Sequence, residues 1–161
     1  MVLDFLAGRM PAYVDTGLNL VPVEDVAEGH WLAAEHGQIG ARYLLGGVNL
    51  HLRDIWRTLA RLTGRRAPSL RIPHAVAAAA AVFSEQVARA RGREPRIPLD
   101  AVRMARHPMY ADASLARRSL GFTAGSADAA LERAVRWYVE RGYARATLHG
   151  ARAAAQRGVH A

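Results

Sequence analysis

Leu18-Asn-Leu-Val-Pro-Val-Glu-Asp-Val-Ala-Glu-Gly-His30 reads as a strand that runs directly into a helix. Leu18 to Val23 is apolar enough for a strand, and Pro22 puts that strand at an edge or near its end. Glu24, Asp25 and Glu28 then fall at a helix start, where the positive end of the peptide dipoles favours acids. Val26, Ala27, His30, Ala33 and Ala34 recur at helical spacing and define the expected inward face of a helix over 24–36. Gly37 follows as a C-terminal cap.

Reading outward from this unit, Val2 to Leu6 is a short helical start that Gly8 and Pro11 end. Ala12 to Val14 forms a short strand, and Asp15-Thr16-Gly17 is a turn. Downstream, Arg42 to Leu45 is expected as a strand ended by Gly46-Gly47. Asn49 or His51 opens an amphipathic helix whose stripe is Leu52, Ile55, Trp56, Leu59 and Leu62, and Gly64 stops it. Leu70 to Ile72 is a strand, His74 to Ala90 an alanine-rich helix, and 92–98 a loop. A helix over Leu99 to Arg106 leads to extended Met109 to Ala111. Asp112 or Ser114 caps a short helix ending at Leu120-Gly121. The last helix starts at Ser126 and buries Leu131, Ala134, Val135, Tyr138 and Val139. The expected organisation is one α+β, helix-dominated unit over 1–143 and a flexible basic tail over 144–161. Its strands are too short to be stable alone and need a partner surface.

Composition narrows the chemistry. There are no cysteines, which removes disulfides, thiolate zinc sites and cysteine nucleophiles and fits a cytoplasmic protein. All 22 basic residues are arginine. Without a lysine there is no Walker lysine, no Schiff-base lysine and no Tyr–Lys dehydrogenase pair. The seven histidines show no metal-ligand spacing, so no metal is expected. The net charge of +8 concentrates in residues 61–96, with eight Arg against two acids, and in 141–161, with four Arg and no acid. Such segments can bind nucleic acid or an anionic membrane. No helix-turn-helix, zinc-finger or base-stacking signature accompanies them. A basic nucleic-acid-binding or protein-interaction module is therefore the secondary expectation. The longest apolar run, Ala75 to Phe83, is about half the length a membrane span requires.

Three segments together carry a resemblance. The first is Asp25-Val26-Ala27-Glu28-Gly29-His30 after its strand. The second runs from Arg42 to Gly64, with Tyr-x-Leu-Gly-Gly before an amphipathic helix. The third is Asp112-Ala113-Ser114-x-Ala116 followed by Leu120-Gly121-Phe122. In this order they resemble the C-terminal half of an extended short-chain dehydrogenase/reductase. The nearest branches are the NAD-dependent epimerase/dehydratases and the dihydroflavonol-4-reductase-like proteins, with the hopanoid-associated sugar epimerases nearest of all.

The resemblance implies an α/β Rossmann-type enzyme of which this chain is the substrate-binding part. The dinucleotide-binding half, with its Gly-rich loop and Tyr-x-x-x-Lys pair, would lie before Met1. NAD(P) is then implied for the intact enzyme and no cofactor for this chain alone. The expected partners are a small sugar or isoprenoid-linked substrate and a second copy of the chain. Leu18, Pro22 and Leu115 stand where family members often have arginine, histidine and lysine. These departures point away from a UDP-sugar and toward the dihydroflavonol-reductase-like branch. No catalytic residue is expected here. The candidate substrate-binding residues are Asn19, Asp25, Arg103, Arg106 and Tyr110. Asn19 and Asp25 also have plain structural readings, as a strand asparagine and a first-turn helix acid. Arg103 and Arg106 lie one helical turn apart and suit an anion or a solvated face.

Overall fold

The computed structural model describes residues 1–95 and 98–145. The expected tail over 144–161 falls almost wholly outside the described residues. In chain order the elements are α1 (Val2–Leu6), β1 (Ala12–Val14), β2 (Gly17–Leu20), α2 (Val23–His36), β3 (Val48–His51), α3 (Leu52–Thr63), β4 (Leu70–Ile72), α4 (His74–Ala90), α5 (Leu99–Met104), α6 (Ser114–Leu120) and α7 (Ala127–Glu140). Helices predominate, as the α+β, helix-dominated reading requires.

The strands form two small pairs. β1 lies parallel to β4 with Tyr13 opposite Arg71, and β2 lies antiparallel to β3 with Gly17 opposite His51. A parallel bridge sets Met109 beside Leu18 on the other edge of β2. Met109 N donates to Gly17 O at 2.8 Å, and Asn19 N donates to Met109 O at 3.0 Å.

The main core is built where sequence periodicity places it. Ile55, Trp56, Leu59 and Leu62 of α3 pack with Phe5 and Leu6 of α1 and Leu131 and Val135 of α7. Phe5 stacks on Trp56 with ring centroids 5.6 Å apart. Gly64 ends α3 with φ of +68°, a left-handed conformation that any side chain would strain. A second cluster joins Ala113, Ala116, Leu120 and Phe122 around α6 to Leu32, Ala33 and Leu45. A third packs Ala77 and Ala81 of α4 on Val102 of α5.

Four expectations change. Arg42 to Leu45 is not a strand; the strand is Val48–His51. A strand needs a neighbour to take its N–H and C=O groups. The two edges of β2 are already taken by β3 and Met109, and residues 42–45 pair with no strand among the described residues. Gly46 and Gly47 therefore lead into the strand instead of ending it. The strand predicted over Leu18 to Val23 stops at Leu20, ahead of Pro22.

The inward face of α2 is also turned from the predicted one. Gly29 is buried, with Val26, Leu32 and Ala33 partly covered, while Ala27, His30 and Ala34 are exposed. Gly29 is the reason: a Cβ there would sit 2.7 Å from Leu45 Cδ2 and 3.1 Å from Phe122 Cδ2. Its missing side chain lets α2 close on the second core. Finally, α5 stops at Met104, so Arg106 lies in the turn beyond it.

Candidate functional site

Two asparagines knit three chain segments together. Asn19 of β2 donates from Nδ2 to Asn49 Oδ1 at 2.7 Å and accepts from Gly47 N at 2.8 Å. Asn49 of β3 donates from Nδ2 to Ala111 O at 3.1 Å, and its Oδ1 accepts from Ala111 N at 3.1 Å. The side chains thus copy a backbone ladder and extend the bridge at Met109 as far as Ala111. Gly47 permits this approach, because a Cβ there would press on the backbone of Leu20 and Val21.

The junction fixes Tyr110. Its ring lies over Gly17, where a Cβ would stand 2.6 Å from the ring carbon Cζ. His51, opposite Gly17 in the ladder, meets the same ring edge-on with centroids 6.3 Å apart. Tyr110 is 44% exposed. Its hydroxyl has no hydrogen-bond partner among the described residues. A phenol that is both positioned and open can donate to, or accept from, a hydroxyl or carbonyl of a small molecule. His51 adds an exposed imidazole beside it. Sequence reading took His51 only as a helix start; the signal it lacked was the register that sets His51 opposite Gly17.

The five candidate residues are not all brought together. Asn19 and Tyr110 share this junction. Asp25, at the start of α2, accepts from Gly125 N at 2.6 Å and ties α2 to the loop before α7. Replacing Asp25 with alanine leaves that N–H without its acceptor and removes a first-turn acid. The expected loss is about 1 kcal/mol in urea unfolding; a change below a few tenths would remove Asp25 from the fold's supports. Arg103 makes a solvent-exposed pair with Asp100 at 3.3 Å on α5. Arg106 is exposed and makes no ion pair among the described residues.

Asp112 begins the next segment. Its Oδ1 accepts from Ser114 N at 2.8 Å and its Oδ2 from Ser114 Oγ at 3.1 Å. The backbone N–H of Ser114, then its hydroxyl, hold the Asp112 carboxyl below its ordinary value of 3.8. A carboxyl depressed in the folded state stabilises above the unfolded pKa and loses that contribution as pH falls through the folded value. Amide exchange at Ser114 is therefore expected to speed up as pH drops below that range, after correction for intrinsic rates. Asp112→Asn should flatten this acid limb, and an unchanged limb would discard the linkage.

Among the described residues no group of His, Asp and Glu is arranged to hold a metal ion, and no helix is long and apolar enough to cross a membrane. No protein-family model matches the chain. Individual proteins do, each over part of its length. The chain is 42% identical over 147 residues to a putative dihydroflavonol 4-reductase of Synechocystis sp., covering 89% of this chain and 43% of that protein. It is 35% identical to sterol demethylase protein B of Methylococcus capsulatus, covering 88% of this chain and 44% of that protein. Among solved structures, it matches gox2253 with a TM-score of 0.72 and 39% identity, over 90% of this chain and 44% of that one. It also matches a nucleoside-diphosphate-sugar epimerase from Pseudomonas aeruginosa with a TM-score of 0.71 and 32% identity, over 89% of this chain and 42% of that one. The chain spans less than half the length of each of these relatives.

Proposed function

We propose that this chain, which matches less than half the length of its reductase and epimerase relatives, is the C-terminal portion of an extended short-chain dehydrogenase/reductase, supplies the substrate side of such an enzyme and does no chemistry alone. The enzyme class we propose is an NAD(P)-dependent sugar epimerase/dehydratase or a dihydroflavonol-4-reductase-like oxidoreductase. One observation carries the substrate-side reading: the β2–β3 junction presents the open Tyr110 hydroxyl, with His51 beside it, in a chain 42% identical to a protein named for a reductase.

The residues present do not fit a dinucleotide. The chain has no lysine to pair with a catalytic tyrosine and no Gly-x-Gly-x-x-Gly loop to receive a pyrophosphate. What this chain's residues can do is bind and orient. In this reading Tyr110 contacts the substrate and Asn19 holds the segment that carries it. Arg106, without an ion pair among the described residues, is the better placed of the two arginines for an anionic substituent. Asp25 fixes the loop before α7. The substrate is a small sugar or isoprenoid-linked molecule, in keeping with relatives named for a nucleoside-diphosphate sugar and for a sterol. A homodimer is part of the same proposal, and sedimentation of the chain tests it.

Titration of the isolated chain with NADPH should give no saturable binding; a micromolar Kd would overturn the division of labour proposed here. A companion titration uses dihydroquercetin and a nucleoside-diphosphate sugar. Tyr110→Phe is expected to weaken the ligand that binds by about three- to tenfold, the worth of one hydrogen bond. Equal affinities for the two chains would take Tyr110 out of the site.

A further inference from the structure

α4 has two apolar faces, and only one of them packs against other described residues. Ala77 and Ala81 pack on Val102 of α5, and Ala88 is buried on the same side. The opposite side carries Val76, Ala79, Ala80 and Phe83, at the i, i+3, i+4, i+7 spacing of a single stripe. Phe83 is 72% exposed and Val76 55%, and Val82 beside them is 45% exposed. Leu70, on the strand before the helix, is 62% exposed. Soluble monomers seldom leave so continuous an apolar strip uncovered unless something binds it.

The charges around the strip say what that is. The only acid in α4 is Glu85, and its carboxylate accepts from Leu99 N at 2.9 Å, which turns it toward α5. The C-terminal end of the helix is basic. Arg89 lies in its last turn, and Arg91 and Arg93 follow, with Glu94 next along the chain. All three arginines are exposed, and none has an ion-pair partner among the described residues. We propose that this face of α4 docks on an anionic lipid bilayer, with Val76 and Phe83 entering the headgroup–acyl boundary and the flanking arginines against lipid phosphates. The helix lies in the plane of the interface and does not span it.

The same pattern argues against nucleic acid and against a parallel second copy. Nucleic acid asks for cations along the contact, and the middle of this one is aliphatic and phenyl. A second copy packed parallel on α4 would bring Arg89, Arg91 and Arg93 of one chain against the same arginines of the other. A bilayer surface satisfies both the apolar strip and the basic end.

The test is co-sedimentation of the full chain with vesicles. One set is phosphatidylcholine alone, and the other contains about a quarter phosphatidylserine. Binding is expected to the second set and to fall as salt is added. Val76→Ser with Phe83→Ser should weaken it about tenfold or more. Arg89→Gln with Arg91→Gln and Arg93→Gln should reduce it to the phosphatidylcholine level. Because the chain has no cysteine, Phe83→Cys gives a single position for an environment-sensitive dye, whose emission should shift to the blue on phosphatidylserine vesicles. The proposal is overturned if neither vesicle retains the chain, or if the serine variant binds as the parent does. It is also overturned if the dye at position 83 stays in water while the chain sediments. A parent dimer that the serine changes make monomeric, with vesicle binding untouched, would assign the face to a second copy instead.

Discussion

Trp56→Ala will lower the unfolding free energy by about 3–5 kcal/mol, the range for emptying a large aromatic site in a packed core. Trp56 is 1% exposed and lies in the cluster that joins α1, α3 and α7. It stacks on Phe5, so the substitution also strips the short α1 of its aromatic partner. Five residues of helix have little stability of their own, and α1 depends on that packing. The loss comes from packing and not from a hydrogen bond, because Trp56 Nε1 has no partner among the described residues. Trp56→Phe keeps most of the ring and should lose clearly less than the alanine variant. Urea unfolding followed by far-UV circular dichroism separates the two. An alanine variant within about 1 kcal/mol of the parent would mean that this cluster does not hold the fold together.

The sequence made this core legible because α3 is amphipathic at a single period. Leu52, Ile55, Trp56, Leu59 and Leu62 can share one side of a helix in only one way, and Gly64 marks where it ends. Leu131 and Val135 of α7 were equally readable. The face of α2 was not. Alanine, valine and histidine at mixed positions give a weak pattern, and the residue that decides the orientation is Gly29, which counts for nothing in a hydrophobic pattern. The strand at 48–51 was hidden for a different reason. Whether an extended segment becomes a strand depends on which edge is free, and the edges of β2 are taken by partners distant in sequence.

The candidate site divides along the same line. Tyr110 and Asn19 were reached from the chain alone, but their association was not. It rests on Asn49 and on the register that puts His51 opposite Gly17. Side-chain hydrogen bonds between residues thirty or more positions apart leave no periodic trace. The resemblance to a known family depends on the order of segments along the chain. It could not say which residues touch.

Asn49→Ala is the substitution that tests whether this junction organises the site. Three hydrogen bonds are lost at once: from Asn19 Nδ2, from Ala111 N, and to Ala111 O. Asn49 is exposed, so water replaces part of what is removed, and the expected cost is about 2 kcal/mol. That exceeds the loss at Asp25, where one bond is at stake. Asn49→Asp should be no milder despite its matching shape. Its second oxygen would face the Ala111 carbonyl, exchanging a donor–acceptor pair for two acceptors. The effect on Tyr110 distinguishes a site-organising junction from simple stabilisation. With Ala111 released, the segment 109–111 keeps only its bonds at Met109, and the ring no longer has a fixed seat over Gly17. Amide exchange should therefore rise at Ala111 more than at Met109, and the ring-current shift of the His51 proton facing Tyr110 should diminish. If stability falls while the His51 resonance stays in place, the asparagines brace the strands and Tyr110 is held by other contacts. If both change together, the phenol's position depends on Asn49, and any ligand affinity carried by Tyr110 should fall in the Asn49 variants as well.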